Sequence, residues 1–144
     1  MSVNRIHVNA SPDQAFAVLA DPDRFAEASG ASAEREVDGE WPHPGSRFRS
    51  RKGLAGMTVV DELAVVDEEA PRRLVMHGTV SPLLEADIEL EIEPYLNGSC
   101  VTLRETPTGG YGTRLPSRFL HAALERRNQR VLERLQRLAV RPYR

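Results

Sequence analysis

Two polar side chains stand where apolar ones are due. Glu105 continues the alternation of Val101 and Leu103, which places its carboxylate on the dry side at the end of a strand. A buried carboxylate without a partner is costly, so it must meet a hydrogen-bond donor, water in a cavity, or bulk solvent. In the first two cases it binds a polar ligand group or acts as a general acid or base. The alternative is that the strand ends early and Glu105 faces solvent or pairs with an arginine. Asn128 falls about 40° from Leu124 on a helical wheel, inside the apolar stripe between Leu124 and Val131. A buried amide left unsatisfied costs roughly 1–3 kcal/mol, so it bonds backbone, Glu105, water or a ligand. Together the two residues would form one polar anchor in an otherwise apolar pocket, the usual composition of a small-molecule site. Taken alone, Asn128 is a structural hydrogen bonder to a loop.

Other chemistry-bearing residues add less. Trp41, His43 and Tyr111 lie in proline- and glycine-rich loops, where large rings either gate a pocket or anchor the loop to the body. His7 and His77 have the outward parity of their strands, and His121 is offset from the helical stripe. No histidine pair has metal-ligand spacing, so neither a metal nor a cofactor is expected. The lone Cys100 forbids an internal disulfide, and its outward parity argues against a nucleophile. Gly109-Gly110-Tyr111-Gly112 lacks the lysine of a phosphate loop, and no serine elbow occurs.

The elements that must position these residues are readable from periodicity and punctuation. Val3, Arg5, His7 and Asn9 alternate with Ile6, Val8 and Ala10 as a first strand. Ser11-Pro12-Asp13-Gln14 and Asp21-Pro22-Asp23 are two helix starts, each with a cap and a proline at the first helical position, and the second short helix ends near Gly30. Turn signals then recur at Asp38-Gly39, Pro42 to Gly45, Gly53 to Gly56, Glu68 to Pro71, Ser81-Pro82, Asn97-Gly98 and Thr108 to Gly112, delimiting six strands. In the clearest of them Ala86, Ile88, Leu90 and Ile92 alternate with acidic residues from Glu85 to Glu93. One dry and one wet face belong to an antiparallel sheet. The dry face has one large cover available, an amphipathic helix from about Leu115 to Ala139, with Leu120, Leu124, Val131, Leu135 and Leu138 in its stripe.

Composition bounds the rest. A chain of 144 residues with 40% hydrophobic and 28% charged residues reads as one α+β domain over 1–144, with no run long enough for a membrane span. The first ten residues lack the pattern of a secretory signal, and a cytoplasmic location is expected. The net charge of −2 hides an asymmetry: nine arginines after residue 110 face only Glu125 and Glu133, giving +7 there and −9 before it. Arg118, Arg126, Arg130, Arg137 and Arg141 fall opposite the apolar stripe, as the wet side of a docked helix would. No aromatic residues interleave with them, and no nucleic-acid partner is expected.

The motifs Ile6-His7-Val8, Ser11-Pro12-Asp13, Phe16, Leu19-Ala20-Asp21-Pro22 and Phe25 occur in that order. They are followed by Gly45 before Phe48, Glu69 with Pro71-Arg72-Arg73-Leu74, Val101-Thr102-Leu103 with Glu105, and Arg127-Asn128. Along essentially its whole length the chain resembles the SRPBCC proteins, the START and Bet v 1-like superfamily, and within it the polyketide cyclase/dehydrase-like group. The resemblance implies a helix-grip fold: a seven-stranded curved antiparallel sheet wrapped around a long C-terminal helix, with two short helices between strands 1 and 2. It also implies a cavity between sheet and helix for a small apolar or amphipathic molecule such as a lipid or polyketide. Carriers and enzymes both occur on this fold, so a cyclase, aromatase or dehydrase activity with Glu105 as the acid or base is the alternative to binding alone. The expected lining is Phe48, Met76, Ile88, Leu90, Leu103 and Leu124, with Trp41 and Tyr111 at the mouth and Glu105 and Asn128 as the polar anchor. A monomer and a homodimer both fit the sequence.

Overall fold

A computed structural model describes residues 1–31, 35–54 and 56–141. Ala55, within the turn expected at 53–56, and Arg144, last of the tail arginines, lie outside the described residues. The order is β1 (Ser2–Val8), α1 (Pro12–Ala20), α2 (Pro22–Ser29), β2 (Arg35–Asp38), β3 (Arg47–Leu54), β4 (Met57–Glu69), β5 (Arg73–Ser81), β6 (Leu84–Tyr95), β7 (Gly98–Gly109), a 3-10 turn (Tyr111–Arg114) and α3 (Ser117–Val140).

The start signals act as their chemistry requires. Ser11 Oγ accepts from the Gln14 backbone N–H while Gln14 reaches back to the Ser11 N–H, a reciprocal cap for α1. Asp21 caps α2 through the Asp23 N–H, and Gly30 closes that helix at φ 74°, a conformation that glycine adopts without strain. The long helix begins at Ser117, later than the stripe suggests, because Leu115 and Pro116 are extended and follow the 3-10 turn.

All seven strands pair antiparallel in the order β1-β7-β6-β5-β4-β3-β2. Register shifts between Val65 and Asp67 and between Glu85 and Ala86 mark bulges, which bend a sheet and sharpen its twist. The sheet is curved and α3 lies in its grip, so the helix-grip architecture is the observed one.

Helix α3 packs chiefly on β1, with α1 and α2 against its other flank. That second flank explains why Leu132, outside the expected stripe, is fully buried. Arg24 Nη2 donates to the Leu138 carbonyl at 2.7 Å, beside the bond that this carbonyl accepts from the Arg141 N–H at 3.2 Å, and so ties α2 to the last turn of α3. Because the helix rests over one edge of the sheet, the concave face of β4, β5 and β6 is left partly uncovered. On the convex face Arg73 bonds Glu89 at 2.7 Å, and Arg104 bonds Glu89 at 3.0 Å and Glu91 at 3.4 Å. These bonds, from Arg73 first, hold the Glu89 carboxyl below its ordinary range, whereas a hydrogen bond with Glu91 raises that of Glu93.

Candidate functional site

The uncovered concave surface fronts a cavity of about 280 Å3 between the sheet and α3. Its floor is apolar: Met76 from β5, Ala86, Ile88 and Leu90 from β6, and Leu103 from β7. Inward parity of consecutive strands places them side by side. Gly78 and Ala86 face each other across β5 and β6 in the wall. A Cβ at Gly78 would meet Ile88 Cδ1 at 3.0 Å and Leu63 Cδ2 at 3.1 Å, so the glycine lets those tips close in.

One corner is polar. Glu105, 2% exposed, stands on β7 with Ser2 of β1 and Ile88 of β6 as its cross-strand neighbours. Its Oε1 accepts from Asn128 Nδ2 at 2.9 Å and from Arg127 Nη2. Asn128, 3% exposed, also donates to Ser2 Oγ at 3.4 Å. The Arg127 side chain is 45% exposed and holds its guanidinium at the rim. The open alternatives for Glu105 therefore meet in one arrangement: it is buried, it pairs with an arginine, and it lines a cavity. Among the described residues Oε2 of Glu105 takes no hydrogen bond, and neither does Oδ1 of Asn128. Neither atom is sealed away from space, unlike Asn4 Oδ1, which is buried without a partner.

Six of the ten expected lining residues form this wall: Met76, Ile88, Leu90, Leu103, Glu105 and Asn128. Four are placed elsewhere. Trp41 donates from Nε1 to the Leu19 carbonyl at 2.8 Å and stacks with Phe25 and Phe48 at ring separations of 5.0 and 5.6 Å, so it anchors its loop to the body. Phe48 is consumed by the same cluster, and Phe25 is the ring of the three that reaches the cavity. Leu124 is buried nearer the helix start, beside a separate depression with Met1, Pro107 and Leu120, because α3 meets the end of β1 there. Tyr111 is exposed in the 3-10 turn with the Arg114 guanidinium 4.9 Å above its ring.

Sequence reading missed Arg127, Phe25, Asp61, Thr79 and Ser29, all of which line the cavity. For Arg127 a signal existed: a buried carboxylate calls for a cation, and Arg127 adjoins Asn128. His43 pairs with Glu68 at 2.9 Å and His77 with Asp87 at 3.0 Å on the outside. Cys100 lies across from His7, outside the cavity wall. Among the described residues no cluster of three or more His, Cys, Asp or Glu could hold a metal ion. A larger groove of about 730 Å3 between α1 and the end of α3 is open, of mixed polarity, and does not include Glu105.

The family model described as "Polyketide cyclase / dehydrase and lipid transport" matches residues 2–140. The chain belongs to this family. A search of the curated proteins finds no match. Among solved structures, a Rhizobium leguminosarum protein is similar at 14% identity and TM-score 0.76, covering 97% of this chain and 93% of its own. Ara h 8.0201 is similar at 13% identity and TM-score 0.76, with 96% and 95% covered. DynU16, a protein of the dynemicin biosynthetic locus, is similar at 17% identity and TM-score 0.69; 94% of this chain matches 45% of that one. At these identities the likeness concerns the fold, which is that of the Bet v 1-like proteins. The family description points to a hydrophobic ligand or a polyketide-related role. Among the described residues no helix is long and apolar enough to cross a membrane.

Proposed function

We propose that this chain binds a small hydrophobic or amphipathic molecule in the cavity between the sheet and α3, with its polar end at Glu105, Asn128 and Arg127. The observation that carries this reading is the coexistence of an apolar floor with one polar corner holding unpartnered acceptor atoms. Apolar burial supplies affinity at about 25 cal/mol per Å2 before the costs of association, and the corner orients the guest. A panel of small aromatic, polyketide-like and lipid-like molecules should raise the melting temperature and shift the methyl resonances of Ile88 and Leu103. Silence across that panel would remove the proposal.

A second reading is an enzyme of the cyclase, aromatase or dehydrase kind. It is favoured by the open oxygen of Glu105, which has the reach and chemistry to move a proton on a bound guest. It predicts turnover that disappears in Glu105→Gln while binding persists.

A further inference from the structure

We infer that the molecule held here is ring-sized, carries a hydrogen-bond donor such as a hydroxyl at its buried end, and bears no negative charge there. This rests on the cavity being the binding site and concerns which chemistry that site accepts.

A carboxylate can only accept, so Asn128 must turn its NH2 toward Glu105. One proton of that amide goes to Glu105 Oε1 at 2.9 Å and the other is directed at Ser2 Oγ at 3.4 Å. The amide's donors are then spent, and its carbonyl oxygen is left open. Arg127 directs Nη2 at the same Oε1, leaving Oε2 open as well. Two residues, each at least nine-tenths buried, thus offer the cavity two acceptor atoms. Ser29 adds no donor, since its hydroxyl goes to the Ala26 carbonyl at 3.2 Å.

A guest with an O–H satisfies Oε2 through a charge-assisted bond, roughly twice as strong as a neutral one. An anionic guest gains less: the Arg127 charge is balanced by Glu105, its remaining N–H groups lie at the half-exposed rim where solvent screens them, and a second carboxylate would sit beside a buried one. Size adds a second preference: a cavity of about 280 Å3 lies at the small end of small-molecule pockets, which run from about 300 to 1,000 Å3, and favours a ring-sized guest.

Three probes of one shape separate these terms at pH 7: naphthalene, 2-naphthol and 2-naphthoate. A phenolic hydroxyl keeps its proton there and a carboxyl does not. Followed by methyl-resolved NMR titration, 2-naphthol should bind at least tenfold more tightly than naphthalene, and 2-naphthoate more weakly than either. In Glu105→Gln the freed Arg127 guanidinium should invert the order, with 2-naphthoate preferred over 2-naphthol. In Arg127→Leu, which keeps Glu105 in place, 2-naphthol should stay preferred. Equal or tighter binding of 2-naphthoate by the unaltered protein, with cavity methyls shifting, would overturn the donor inference and leave the cavity reading standing. If none of the three shifts a cavity methyl, the cavity reading falls and takes this inference with it.

Discussion

Asn128 Nδ2 donates to Glu105 Oε1 at 2.9 Å, and this bond joins the last strand to the terminal helix within the cavity wall. Removing the amide leaves a buried carboxylate with one donor fewer. Asn128→Ala should therefore cost roughly 1–3 kcal/mol in urea unfolding. Asn128→Asp should cost more at pH 7, because it opposes two carboxylates, and its excess penalty should shrink as the pH is lowered. A substitution to Asp as mild as that to Ala would show that the contact carries little of the site's electrostatics.

Trp41 is tied to Leu19 by its indole N–H and to Phe25 and Phe48 by its ring. Trp41→Phe keeps one aromatic ring but loses the N–H bond and part of the indole packing, so stability should fall by roughly 1–3 kcal/mol while ligand affinity is unchanged. Thermal melts with and without 2-naphthol test both halves. A large loss of affinity at unchanged stability would return Trp41 to the mouth of the cavity.

Ala86 is the smallest side chain of the apolar cavity floor. Ala86→Leu pushes a larger side chain into vacant space, so its stability cost should be about 1 kcal/mol or less. Affinity for naphthalene-sized guests should fall tenfold or more. Unaltered binding with a cooperative melt would place the guest elsewhere, the groove between α1 and α3 being the first site to examine.

The convex face gives a pH dependence whose sign differs between neighbours. Glu89 has a folded pKa below the ordinary 4.5 because Arg73 and Arg104 hold its ionised form. Its contribution is complete above about pH 5 and is lost as pH falls through the lowered value. Glu93 is shifted upward by Glu91, so its ionised form is disfavoured and its effect is relieved on acidification. Glu89→Gln should lower stability at pH 7 by roughly 1 kcal/mol, and Glu93→Gln should raise it slightly. Both differences should shrink as the pH is taken from 7 to 2, that of Glu93 first and that of Glu89 last, because the first carboxyl is shifted up and the second down. Parallel urea titrations at the two pH values check this, and a Glu89→Gln penalty that persists in acid would assign the loss to packing.

Strand parity and helix-start chemistry made most of the architecture legible, because each is a local property. The dry face of β6 and the reciprocal cap at Ser11 and Gln14 are examples. Glu105 and Asn128 were visible because each breaks a pattern that its neighbours keep. Trp41, Phe48, Leu124 and Tyr111 were harder, since ring type and loop position do not say which nonlocal partner a side chain finds. The three-ring cluster needs α2, the loop at Trp41 and β3 to converge, and no spacing within one segment encodes that meeting. Leu124 shares the helical stripe with Asn128 but lies one turn earlier, where it borders a separate depression beside the start of β1. Arg127 sits on the flank of the stripe, and its role emerges only when the carboxylate it neutralises has a position.

The pairing of β1 with β7 brings Ser2 opposite Glu105, residues separated by about a hundred positions of chain. Ribosomes add about 5–20 residues per second, so the leading strand must wait for several seconds before its partner emerges. The corner draws on residues 2, 105, 127 and 128, hence no nascent chain can assemble it before residue 128 has left the exit tunnel.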